Sequence, residues 1–238
     1  MDEKEIQQMQ WMLDNYESLE KAGPLIDRHM KPWMKEQGFS RKGRNYFKIV
    51  DDIAYCVANG IGDLVHTHYY ILPLYIPTDY IYLQYGDEIE HQYRQVLRLY
   101  RRTTQENVDS WYAGAKEVLE NEIFPFFEQI SSKKKLLNYI SQGPSHMFIS
   151  REGPWIERLR TYSYLCLLDR EKATAALEEY KRELHITFSN SLDWYKAEKE
   201  AELLEISKLL QKTDEEITTY FQNVCKETMA NCFQPKRR

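Results

Sequence analysis

The sequence predicts an α+β protein: a small antiparallel sheet flanked by helices, followed by an all-helical C-terminal region. Three observations predict it. The 238 residues include only 9 Gly and 8 Pro, roughly 7% against a usual share of about 12%, so turns are scarce and elements long. All nine glycines lie at or before Gly153, and the 80 residues from Trp155 to Gln234 contain neither Gly nor Pro. Within the glycine-bearing part the hydrophobic period changes from 3.6 to 2 near Arg44 and returns to 3.6 after Asp87.

Glu3 to Glu20 has helical spacing at Ile6, Met9, Leu13 and Tyr16. A second helix starts near Pro24, a favoured first-turn residue. It carries Leu25, Ile26, Met30, Trp33 and Met34, is bent by Pro32, and ends at Gly38 as a left-handed cap. Arg44, Tyr46 and Lys48 then alternate with Phe47 and Ile49. Asp51-Asp52 turns the chain, and Ile53, Tyr55 and Val57 alternate again, which reads as a hairpin. Asn59 to Asp63 reads as a loop, Leu64 to Ile76 as a long strand demoted at Pro73, and Tyr80 to Tyr85 as a further strand. Short connections without helices argue for antiparallel pairing.

After Asp87 helix resumes, with Val96, Leu97 and Tyr100 as a short amphipathic stretch. Thr104 to Glu122 carries Val108, Trp111, Tyr112, Ala115, Val118 and Leu119 on one face until Pro125 breaks it. Ser132 to Ser141 is a short helix. Four more follow: Pro154 to Leu168; one capped by Asp169; Ser191 to Gln211; and a last one opened by the capping box Thr213–Glu216. The expected organisation is an α+β domain over 1–143 and a helical region over 154–238, packed on the first or separate from it.

Gly38-Phe39-Ser40-Arg41-Lys42-Gly43-Arg44-Asn45-Tyr46-Phe47 and Ile123-Phe124-Pro125-Phe126-Phe127-Glu128 carry a resemblance. A helix ending in Gly-Phe, a basic turn, an aromatic strand and a later Pro-aromatic motif resemble bacterial domain-of-unknown-function family 4304 over about residues 24–142. Leu64 to Ile76 takes the place of its long central strand. The resemblance implies a helix-flanked antiparallel sheet and no established activity. Some members are associated with toxin immunity.

Composition excludes several classes. Hydrophobic residues make up 42% and the net charge is −5, so the chain is not disordered. With 32 basic against 37 acidic residues it lacks the global footprint of a nucleic-acid binder. The longest apolar run, Tyr69 to Ile76, is too short to span a bilayer. The acidic start lacks the apolar core of a signal peptide. Cys56, Cys166, Cys225 and Cys232 form no C-x-x-C pair. A cytoplasmic protein with reduced thiols is expected.

His66-Thr67-His68 is the most metal-like feature, because alternate strand residues share a face. A third ligand is required, with His91, Asp63 and Cys56 as options. The alternative is two half-exposed strand histidines. Arg41, Lys42 and Arg44, beside Tyr46 and Phe47, suit phosphate or single-stranded nucleic acid. The favoured reading is a solvated turn whose charges protect a strand edge. Arg94, Arg98 and Arg101 would share a helical face, read as solvated with local pairs. Eight of the 18 tyrosines fall between Tyr46 and Tyr85. Tyr80 and Tyr82 share a strand face and form a candidate contact surface; the competing reading is sheet packing. Cys225 and Cys232 read as inert buried thiols.

No P-loop, G-x-G-x-x-G, G-x-S-x-G or H-E-x-x-H is present, and no cofactor is indicated. The sequence therefore points away from an enzyme. It points toward a bacterial interaction module of immunity or regulatory type, binding a protein partner through the sheet face or the helical region. The alternatives are a metal-dependent hydrolase using His66 and His68, and a nucleic-acid binder using Arg41, Lys42 and Arg44.

Overall fold

In the computed structural model the described residues are 6–7, 10–11, 14–79, 85–93, 96, 98–143, 147–148, 153–188 and 193–234. In chain order they form β1 (Glu20–Lys21), α1 (Ala22–Glu36), β2 (Ser40–Lys42), β3 (Asn45–Val50), β4 (Ile53–Ile61) and β5 (Leu64–Pro73). There follow β6 (Gly86–Glu88), α2 (Ile89–Gln92), β7 (Leu99–Tyr100), β8 (Arg102–Thr103), α3 (Gln105–Val118) and a π-helical turn (Leu119–Ile123). The chain closes with α4 (Phe124–Gln129), α5 (Lys133–Ser141), α6 (Pro154–Cys166), α7 (Arg170–Phe188), α8 (Asp193–Leu209) and α9 (Asp214–Phe233). The main sheet has the order β2-β3-β4-β5-β6, with β7 also pairing β5, and β1 and β8 make a separate antiparallel pair. The predicted α+β class, with an antiparallel sheet and a helical C-terminal region, is present.

The chain divides into two compact units. The first takes Met1–Lys48, Cys56–Tyr69 and Glu88–Phe126; the second takes Ile49–Tyr55, Tyr70–Asp87 and Phe127–Arg238. The Gly143–Gly153 junction falls inside the second unit. In the first, α1 buries Leu25, Ile26, Met30, Trp33 and Met34, and α3 buries Val108, Trp111, Ala115 and Val118. Phe124 stacks on both Trp33 and Phe39, at 5.7 and 5.5 Å between ring centres. In the second, α6 and α7 pack closely, and α7 buries Ala173, Ala176, Leu177, Tyr180 and Leu184. Phe221 of α9 meets Tyr162 edge-on at 6.4 Å.

Local signals hold well. Gly38 adopts φ 81°, and Phe39 and Gly38 donate back to the Met34 and Lys35 carbonyls at 2.9 and 3.0 Å, closing α1. Thr104, Ser132 and Thr213 cap α3, α5 and α9. Asp169 accepts from the Lys172 amide at the start of α7. Asp51 and Asp52 take left-handed φ values of 47° and 62°, the geometry that suits a two-residue hairpin turn.

Four expectations are corrected. Asn59 to Ile61 is strand, because β4 runs on to a turn at Gly62-Asp63. The long strand stops at Pro73, which lacks the amide needed to continue the ladder. Leu99 to Thr103 is extended rather than helical: Leu99 and Tyr100 pair with Val65 and Leu64, and Arg102 and Thr103 pair with Lys21 and Glu20. Pro125 does not end its helix. The Phe124 amide bonds back five residues to the Leu119 carbonyl, and this wider turn accommodates the proline ring. Of the strand expected from Tyr80 to Tyr85, residues 80–84 lie outside the described residues, and Tyr85 is in a turn.

Candidate functional site

In the first unit, β2 and its turn to β3 carry the predicted basic cluster. Arg41 Nη2 donates to both oxygens of Asp27 on α1, at 2.9 and 2.7 Å, and its Nε donates to the Gly43 carbonyl at 2.7 Å. Its guanidinium also lies 5.5 Å from the Tyr46 ring centre. Burial pushes the Tyr46 phenol up to about 12, against the opposing charge of Arg41, so it stays neutral. Arg41 and Arg44 line one cavity of about 300 Å³, together with Gly23, Pro24, Ile26, Asp27, Asn59 and Ile61. Lys42 is not part of that lining. Two of the three predicted basic residues therefore meet at one concave site.

His66 and His68 lie together on β5, their ring centres 6.4 Å apart. His66 Nδ1 stands 2.7 Å from Glu88 Oε1, which fixes the ring by a carboxylate. Among the described residues no group of three or more His, Cys, Asp or Glu is placed to hold a metal ion, and the His91 side chain lies outside them. Beside this pair is a residue that sequence reasoning missed. Glu90 accepts from the Thr67 amide at 2.8 Å and from the Trp111 indole at 3.1 Å. Burial pushes its carboxyl above the usual range, and those two donors pull the other way. No sequence signal marks it, since both donors are remote in the chain.

Six of the tyrosines between Tyr46 and Tyr85 are buried: Tyr46, Tyr55, Tyr69, Tyr70, Tyr75 and Tyr85. Tyr69 donates to Gln92 Oε1 at 2.6 Å, Tyr75 bonds Ser163 Oγ at 2.8 Å and Tyr85 donates to the Trp155 carbonyl at 2.8 Å. Their role is packing. Tyr80 and Tyr82 lie outside the described residues. Arg98 and Arg101 flank the extended Leu99-Tyr100 pair, so they share no helical face.

The helical part of the second unit offers another surface. α8 buries only Ile206 and Leu209. On a different face it exposes Trp194, Ala197, Ala201 and Leu204, with Trp194 and Leu204 at 65% and 56% exposure. Ile186 of α7 is exposed as well. Cys166 and Cys225 line a cavity of about 470 Å³ with Lys133. Burial pushes the two thiols up to about 11 and about 12. Lys133 is tied to Asp52 at 2.7 Å. Burial alone would lower its ammonium pKa, and the carboxylates outweigh that and hold it above the usual range. Neither an activated thiol nor a neutral lysine is available there.

No helix among the described residues is long and apolar enough to cross a membrane. Comparison with protein-family models, curated proteins and solved structures gave no match.

Proposed function

We propose that the protein is a bacterial cytoplasmic interaction module, of immunity or regulatory type, that docks a helix of a protein partner along α8. The observation that carries this reading is the exposed apolar stripe Trp194, Ala197, Ala201 and Leu204. Its spacings of three, four and three residues are those of a helix–helix seam. A solvated helix has no need of that pattern on its outward face, and α8 already has a separate buried face. Trp is a preferred interface anchor, because it removes a large apolar area from water with few rotors to immobilise. The two alanines between the large residues let a partner backbone approach.

The test is site-specific photocrosslinking from positions Ala197 and Ala201 in the native host. The cross-linked protein is then purified and titrated against the chain. Trp194→Ser and Leu204→Ser should each weaken that complex by about tenfold or more, with the thermal midpoint unchanged. Equal affinity in both variants would refute docking at α8.

A further inference from the structure

We propose that the cavity at the start of α1 binds a phosphate group, either of a small phosphomonoester or of free phosphate. This site is independent of the α8 surface.

The cavity holds about 300 Å³, room for a phosphate and a few carbons rather than for a large ligand. Its polar groups are mostly donors. Arg44 is exposed, and its guanidinium has no partner among the described residues. The Arg44 carbonyl accepts the Asn59 amide at 3.3 Å, which ties the turn to β4 beside the cavity. Asn59 is 5% exposed. Its Oδ1 is occupied by the Thr67 hydroxyl at 3.0 Å, while Nδ2 makes no hydrogen bond among the described residues. Asn59 lines the cavity, so an anion held there would accept from Nδ2 in place of solvent.

The one carboxylate in the lining, Asp27, has both oxygens engaged by Arg41. Arg44 is therefore the uncompensated charge. α1 adds little to it: its first turn has no acidic side chain, but the Ala22 amide already donates to the Arg101 carbonyl at 2.9 Å and Pro24 has no amide hydrogen, so the helix end has few amides left to offer. Gly23 brings that end close to the sheet, since a Cβ there would stand 3.1 Å from Ile61 Cδ1.

The surroundings favour a small ligand over a nucleic-acid strand. Base recognition in single strands relies on exposed aromatic rings, and Tyr46, the ring under Arg41, is 2% exposed. Ile26 and Ile61 offer apolar wall instead.

The experiment uses the whole purified chain. Thermal midpoints and calorimetric titrations are recorded with inorganic phosphate, glycerol 3-phosphate and a thymidine oligonucleotide, against chloride at matched ionic strength. A saturable rise in midpoint with one or both phosphates is expected. Arg44→Ala should lose about tenfold or more in affinity, and Arg44→Lys less, because an ammonium replaces charge but not the planar fork. Both variants should melt like the parent in chloride, since Arg44 is exposed. Equal affinity for the two phosphates identifies free phosphate as sufficient; tighter glycerol 3-phosphate identifies a monoester. The assignment is overturned if neither phosphate saturates, if Arg44→Ala binds as the parent does, or if the oligonucleotide binds tighter with a steep salt dependence.

Discussion

Arg158 on α6 places its Nε 2.5 Å from Oε1 of Glu202 on α8, with side chains only 7% and 12% exposed. The carboxylate also accepts from Lys199 at 3.2 Å and from the Tyr180 hydroxyl of α7 at 3.3 Å. Arg158 donates in addition to the Pro77 carbonyl at 3.2 Å and lies over the Tyr162 ring. One acidic residue thus gathers three helices. Taking two charges out of water is costly, and removing one partner strands the other. Arg158→Met or Glu202→Leu alone should lose about 3–5 kcal/mol in urea unfolding, and the double variant should recover most of it. Additive losses would show that the two side chains act separately.

The pH dependence of the two units should have opposite signs. Burial by itself would raise the Glu202 carboxyl, but Arg158 and Lys199 outweigh it and leave it below its usual 4.5. Its contribution is present above that value and is lost as pH falls through the lowered one. Glu90 is the reverse case: burial dominates and its carboxyl is raised above 4.5. Its contribution is full below 4.5 and declines as pH rises through the raised value. Acidification should therefore loosen amides of α6 and α8 while the Trp111 indole stays protected. Hydrogen exchange followed by NMR across pH 3–7 reads both. Equal loosening of the two sets would contradict the assigned shifts.

What could be read in the sequence was whatever depends on neighbours in the chain. The Thr213–Glu216 box, the Gly38 terminus and the Asp51-Asp52 turn each need only a few adjacent residues. Leu99 to Thr103 could not be read this way. Its arginine spacing suits a helix, but the strands it pairs with are remote: Val65 in one case and Glu20 in the other. Glu90 was hidden for the same reason. The basic turn was legible as residues, whereas its cavity was not, because Asn59 and Gly23 have no local relation to Arg44. The six buried tyrosines illustrate a further limit: residue type alone does not separate a recognition ring from a packed one.

The cysteines give a chemical prediction. With thiol values near 11 for Cys166 and near 12 for Cys225, roughly one Cys166 in ten thousand is thiolate at pH 7. Iodoacetamide at pH 7.5 should leave both unmodified in the folded chain for hours, and should alkylate both within minutes in urea. Peptide mass spectrometry reads the outcome. Cys166 is half-buried, so its rapid modification in the folded chain would mean that its thiol is not raised.

Two helix ends with the same hydrogen bonds make a paired test of backbone strain. Phe39 donates to the Met34 carbonyl at 2.9 Å after Gly38, and Asp169 donates to the Tyr164 carbonyl at 3.0 Å after Leu168. The left-handed residue is Gly38 in the first, at φ 81°, and Leu168 in the second, at φ 62°. Leucine there crowds its Cβ against the following carbonyl, at a cost of about 1–2 kcal/mol, and glycine escapes it. The gain from Leu168→Gly is offset in part by the greater freedom of unfolded glycine, about 0.5–1 kcal/mol. A net rise of roughly 0.5–1 kcal/mol is expected. Gly38→Ala should go the other way by about 1 kcal/mol. A Cβ at Gly38 meets nothing nearer than Lys48 Cε at 3.8 Å, so that loss is conformational and not a clash. Urea midpoints of the two single variants decide it: shifts of the same sign would show that the backbone at Leu168 is not strained.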